Sequence, residues 1–132
     1  MAEREIKQVL IIRKDLKTRR GKEIAQGAHS AMLFMLEAIK SHAGKKIKPE
    51  DMFTEEQWLW MNRPMTKITL QVDDEEQLMD VMKRAKKAGL TAWLVTDAGK
   101  TEFHGEPTRT ALAIGPNYAD EIDKVTGDLK LY

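Results

Sequence analysis

The sequence predicts an α/β fold, with helices on both faces of a mostly parallel sheet, and three observations carry that prediction. A segment rich in branched apolar residues, Ile6 to Ile12, closes on the run Val9 to Ile12 and reads as a strand buried on both faces. A long stretch with helical apolar spacing follows it. Beyond that, strand-like and helix-like stretches succeed one another in the order β, α, short α, β, α, β, β, α. The 132 residues fit a single domain, 1–132, large enough to bury roughly two thirds of its unfolded surface.

Each element has its own signal. After the first strand a polar loop runs to Gly21. From Lys22 to Lys40 the residues Ile24, Ala25, Ala28, Ala31, Met32, Met35, Leu36 and Ile39 recur at helical spacing and define the expected core face. Lys22, Gln26 and His29, at i, i+4 and i+7, form a separate stripe expected to point away from that face. Residues 41–64 are polar and irregular and read as a surface excursion. Within it, Thr54 and Gln57 have capping-box spacing, which places the start of a short helix.

The alternation of Ile68, Leu70 and Val72 predicts a strand over Met65 to Val72, with Asp73 and Asp74 as cap candidates for the next helix. Leu78, Val81, Met82 and Ala85 are that helix's buried face, and Gly89 can end it. Lys83, Arg84, Lys86 and Lys87 lie near its C-terminus, where cations complement the helix dipole. Thr91 to Thr96 is a strand ending at Asp97-Ala98-Gly99. Thr110 to Ile114 is another, ending at Gly115-Pro116, and a last short helix begins at about Asn117.

Composition narrows the function. The chain has no cysteine, which excludes disulfides, thiolate metal clusters and a cysteine nucleophile, and which fits a reducing compartment. The run Val9 to Ile12 is too short for a signal-peptide core or a membrane span, so a cytoplasmic protein with no membrane partner is expected. The total charge is +1, yet Arg13, Lys14, Lys17, Arg19, Arg20 and Lys22 face one acid, Asp15, within a single window. That window carries +5 and leaves −4 for the rest, a pattern that suggests a localised anion site or, alternatively, a loop that is merely solvated.

Several chemistries are excluded by spacing. Gly21-Lys22 is not a phosphate-binding P-loop, because Leu16 stands five positions before Gly21 and Glu23 follows Lys22. His29, His42 and His104 lack metal-ligand spacing, and Ser30 and Ser41 sit in no nucleophile elbow. No metal and no cofactor is therefore expected. What remains is convergence: Arg13 and Asp15 follow the first strand, Lys22 opens the next helix, and Asp97 follows a later strand. If those strands are parallel, their carboxyl ends share the sheet edge where open α/β folds bind ligands, and Lys22 and Asp97 can meet. Asp97-Ala98-Gly99 also reads as an ordinary turn.

The combination is more specific than its parts. Arg13-Lys14-Asp15-Leu16-Lys17, then Gly21-Lys22, Ala25-Gln26 and His29-Ser30-Ala31, closely resemble the N-terminal signature of the type 2 (archaeal and eukaryotic) peptidyl-tRNA hydrolases. Asp97-Ala98-Gly99-Lys100-Thr101, the run Thr110 to Pro116, Ile122 to Gly127 and Leu129 to Tyr132 resemble its C-terminal signature in the same order. The resemblance spans nearly the whole chain. Residues of about 41–64 are longer and more irregular than the family pattern. Thr18 stands where Met is frequent, and the loop Phe103-His104-Gly105-Glu106-Pro107 departs from it, which bears on substrate fit.

The resemblance implies a three-layer α/β/α sandwich with a four-stranded mixed sheet in which the Thr110 strand runs antiparallel. It implies hydrolysis of the ester between a peptide and tRNA, a peptidyl-tRNA partner and, as is frequent in the family, a homodimer. The residues it carries over are Lys22, Asp97 and Thr101, with Thr110, Gln26 and His29 as weaker members. Asp97 would position or deprotonate water, Lys22 would stabilise developing negative charge or hold the terminal phosphate, and the threonine hydroxyls would orient water and carbonyl. Arg13, Lys14, Lys17, Arg19 and Arg20 would follow tRNA phosphates by charge without reading bases. The alternatives are a noncatalytic RNA-binding or regulatory module of the same fold, and hydrolysis of another acylated ribose or a small ester.

Overall fold

A computed structural model describes residues 3–100 and 103–132. The chain forms β1 (Ile6–Arg13), α1 (Arg20–Ser41), a 3-10 turn (Pro49–Asp51), α2 (Glu55–Met61), β2 (Lys67–Val72), α3 (Glu75–Lys87), β3 (Ala92–Asp97), β4 (Thr108–Tyr118) and α4 (Ala119–Thr126). The strands make one sheet in the order β2-β1-β4-β3. β1 pairs with β2 in parallel, while β4 lies antiparallel to both β1 and β3. Three strands thus point one way and β4 points back, which is the mixed α/β sheet expected, although β1–β2 is its one parallel ladder.

The period of two along β1 sorts the core into two layers. Val9 and Ile11, both fully buried, join Leu70, Val72, Leu112 and Ile114 beneath Leu78, Val81 and Ala85 of α3 and Ile122 and Val125 of α4. On the opposite face Leu10 meets Ala31 of α1 and Ala113, and Ile12 packs with Val95 and Ala111. Gln8 is also buried there, and its amide donates to the Ala31 carbonyl at 3.0 Å, which offsets part of the cost of placing a polar group in the core.

α1 departs in part from the expected burial. Ile24, Met32 and Ile39, expected in the core, are 66%, 48% and 53% exposed, while Ala31 is buried as expected, together with Gly27, Ser30 and Phe34. Gly27 faces Leu10 and Ile12 of β1, where a Cβ would stand at ordinary contact distance, 3.8 Å and 3.9 Å from their Cδ1 atoms. The Ser30 hydroxyl donates back to the Gly27 carbonyl at 2.8 Å and so enters the core satisfied. Apolar periodicity counts neither Gly nor Ser and therefore set a face rotated from the buried one, with Ala31 common to both.

In the segment expected as a surface excursion, the Thr54–Gln57 capping box forms and opens α2. α2 also buries Trp60 against Phe34 and Ile6, with Phe34 and Trp60 in edge-to-face contact. β4 extends past Gly115-Pro116 to Tyr118. A register shift between Lys7 and Val9 lets the β1–β4 ladder skip the proline, which has no N–H to donate, and resume at Lys7↔Asn117.

Candidate active site

The carboxyl ends of β1 and β3 and the amino end of α1 meet at one edge of the sheet, and Asp97 is the last residue of β3. Lys22, in the first turn of α1, and Gln26, one turn on, project towards it at i, i+4. Lys22 Nζ lies 2.8 Å from Asp97 Oδ2, and Gln26 Nε2 donates to the same oxygen at 2.8 Å. The Gly99 N–H donates to Asp97 Oδ1 at 2.7 Å. The turn reading and the ionic reading of Asp97-Ala98-Gly99 are therefore both present: the side chain closes the turn with one oxygen and meets Lys22 with the other.

Thr110 supports this centre from β4. It is 3% exposed, and its hydroxyl donates to Gln26 Oε1 at 2.6 Å, which leaves the Gln26 amide nitrogen directed at Asp97. Lys22 holds the Asp97 carboxyl below the usual carboxylate range, with the Gly99 N–H and Gln26 amide adding to the effect against the opposing influence of burial. The arrangement is an ionised carboxylate fixed by three donors, one of which is the Lys22 cation.

Other expected site residues lie elsewhere. His29 is exposed and further along α1, outside the Lys22–Gln26–Asp97–Thr110 network. Thr101 lies outside the described residues. In the basic loop Lys14, Lys17, Arg19 and Arg20 are exposed, but Arg13 is buried at 9% exposure. Its guanidinium forms a bidentate pair with Asp15 at 3.1 and 2.7 Å and donates to the Arg109 carbonyl at 2.9 Å. Geometry thus makes Arg13 an internal tie between the loop and β4, next to Thr110, rather than a loop-surface cation like its neighbours.

Two features escaped the sequence. The Gly99 N–H is a backbone donor, visible only once Asp97 is seen to cap its own turn. Phe103 stands beside the centre, with Lys22 Nζ 5.9 Å from its ring centroid. Its position in a loop that departs from the family pattern was the available signal. Among the described residues, no group of three or more His, Cys, Asp or Glu could hold a metal ion, and no helix is long and apolar enough to cross a membrane.

Comparison with known proteins adds an independent line. The profile of the family described as Peptidyl-tRNA hydrolase PTH2 matches residues 6–132. The peptidyl-tRNA hydrolase of Methanopyrus kandleri is 43% identical over 126 residues, covering 95% of this chain and 97% of that protein. Peptidyl-tRNA hydrolase 2, mitochondrial, of Bos taurus is 40% identical over 128 residues, covering 97% of this chain and 65% of that protein. The peptidyl-tRNA hydrolase of Sulfolobus acidocaldarius is 36% identical over 129 residues, covering 96% of this chain and 99% of that protein. The chain thus spans nearly all of the archaeal relatives and just under two thirds of the bovine one.

Proposed function

The chain belongs to the peptidyl-tRNA hydrolase PTH2 family, and on that premise we propose that it hydrolyses the ester joining a peptide or N-blocked amino acid to tRNA, releasing free tRNA, with Asp97 and Lys22 at the reacting centre. The observation that carries this is the Asp97 carboxylate held between Lys22, Gln26 and the Gly99 N–H at the sheet edge. A binding module needs the cations of the loop. It has no use for a carboxylate fixed among them.

The reaction adds water to an acyl carbon, passes through an oxyanion and expels a ribose hydroxyl. A carboxylate has about four acceptor sites, two on each oxygen. Oδ2 receives Lys22 and Gln26 and Oδ1 receives Gly99 N–H, so the remaining acceptor site on Oδ1 is where Asp97 orients the attacking water. While paired with Lys22, Asp97 is a weak base. As negative charge develops on the substrate oxygen, Lys22 turns part of its interaction towards it, and Asp97 becomes basic enough to take the water's proton. Thr110 acts through Gln26 by fixing its amide.

The same reading makes the reaction independent of a metal, because most of the acceptor sites a metal would need at Asp97 are taken by protein donors. Lys14, Lys17, Arg19 and Arg20 follow the tRNA backbone by charge. A cytoplasmic place belongs to the same reading, and a chain without cysteine is compatible with it. A homodimer is supported by Ile24, Met32 and Ile39, which expose apolar area along one side of α1. Incubation of the purified chain with N-blocked aminoacyl-tRNA and with its free aminoacyl counterpart tests the central claim. Cleavage of the blocked form is expected, and cleavage of neither overturns it.

A further inference from the structure

We propose that Phe103 is the platform on which the terminal adenine of tRNA stacks, an inference that rests on the hydrolase reading and adds to it a residue for substrate recognition. The substrate sets the requirement. The nucleoside that carries the peptide is an adenosine in every tRNA, and its base is attached to the same ribose whose hydroxyl forms the ester. Wherever the scissile carbonyl meets Lys22 and Asp97, the adenine lies one sugar ring away. The acyl side chain differs from one substrate to the next, so a fixed aromatic surface at that distance matches the invariant base.

Phe103 is in that place. Its ring centroid is 5.9 Å from Lys22 Nζ, and the side chain is part-exposed. With Ile12, Leu16, Gln26 and Thr110 it walls a recess of about 10 Å³, close to the smallest space that admits one water. The ring is therefore backed by protein. The loop that carries it is tied back on itself: the Gly105 N–H donates to the Gly99 carbonyl at 2.8 Å and the Glu106 N–H to the Phe103 carbonyl at 2.9 Å. Gly99 has φ +83°, and a Cβ there would stand 2.3 Å from the Glu106 carbonyl oxygen, so the turn that closes Asp97 also fixes the return of this loop. Every base has a π-face, and the Phe103 ring offers an uncharged aromatic surface to meet it.

The experiment is a cycle of two deletions, read as KM and kcat for N-acetyl-aminoacyl-tRNA. One deletion is Phe103→Ala, and the other is a substrate whose terminal ribose lacks its base. Each alone is expected to raise KM about tenfold, the scale of one base–aromatic stack, with a smaller effect on kcat. Both together are expected to cost no more than either alone, the signature of a direct interaction. Phe103→Trp should restore KM on the adenosine-ended substrate and Phe103→Leu should not. Additive penalties, no penalty, rescue by Leu, or a penalty that follows the acyl side chain would overturn the adenine platform while leaving hydrolysis intact. A parent protein that cleaves no substrate would remove the hydrolase reading and this one with it.

Discussion

The carboxylate of Asp97 at the end of β3 and the ammonium of Lys22 in the first turn of α1 lie 2.8 Å apart, with only 12% and 18% of their side chains exposed. A pair so enclosed is screened little by salt, and Lys22 is the largest influence on the Asp97 carboxyl.

The sign of that coupling can be tested at Asp97. Lys22 is the largest influence holding its carboxyl below the usual range, so Lys22→Gln is expected to move the Asp97 titration to higher pH. Because the folded carboxyl is depressed, the pair's stabilisation is complete above the unfolded value of about 3.9 and is lost as pH falls through the folded value. A carboxyl carbon NMR titration of parent and variant measures the shift. An identical midpoint in both would show that Lys22 does not govern Asp97.

Arg13 and its loop neighbours should separate into two classes. Arg13→Met removes the donor to the Arg109 carbonyl and the partner of Asp15, so a loss of about 1–3 kcal/mol of stability is expected, measured by denaturant unfolding. Charge reversal at the exposed Arg19 and Arg20 is expected to act on the encounter with tRNA. It should weaken tRNA binding and lower the slope of log affinity against log salt by about one for each phosphate no longer neutralised. Filter binding across a salt series checks this, and an unaltered slope refutes the loop's role.

The contrast between Arg13 and Arg20 also shows what the sequence could and could not reveal. Lys22 and Asp97 were legible by resemblance and because strands that run the same way, as β1 and β3 do, bring their ends to one sheet edge. Whether a guanidinium in a charged run faces solvent or a carbonyl such as that of Arg109 depends on strand register, which composition does not encode. The face of α1 was legible only in part: Ala31 is buried as expected, but Gly27 and Ser30, buried with it, carry no apolar signal. Thr110 was legible as a site member by resemblance, but its work through Gln26 follows from a 2.6 Å hydrogen bond between elements far apart in sequence.

Chelation should leave the reaction intact. Asp97 offers its oxygens to Lys22, Gln26 and the Gly99 N–H, and a metal there would have to displace a cation and two hydrogen bonds. Single-turnover rates after exhaustive chelation are expected to equal those of a mock-treated control. A loss restored by one specific metal would refute the proposed mechanism.

Asp97→Asn is the sharpest test, because the turn and the chemistry use different properties of one side chain. Asparagine keeps an acceptor for the Gly99 N–H and tolerates the same turn, so folding should largely survive. It loses the charge that pairs with Lys22 and the basicity that would take a proton from water. A general base contributes about a hundredfold or more, so single-turnover cleavage at saturating enzyme should fall by at least that factor. Melting should drop by the contribution of the Lys22 pair while the fold survives, and tRNA binding should stay near that of the parent, since the loop cations and the turn are untouched. Measuring all three on the same preparation separates the cases. A variant that melts and binds like the parent and cleaves within a few-fold of it would reduce Asp97 to a turn residue, and the catalytic centre would have to be sought elsewhere on the sheet edge.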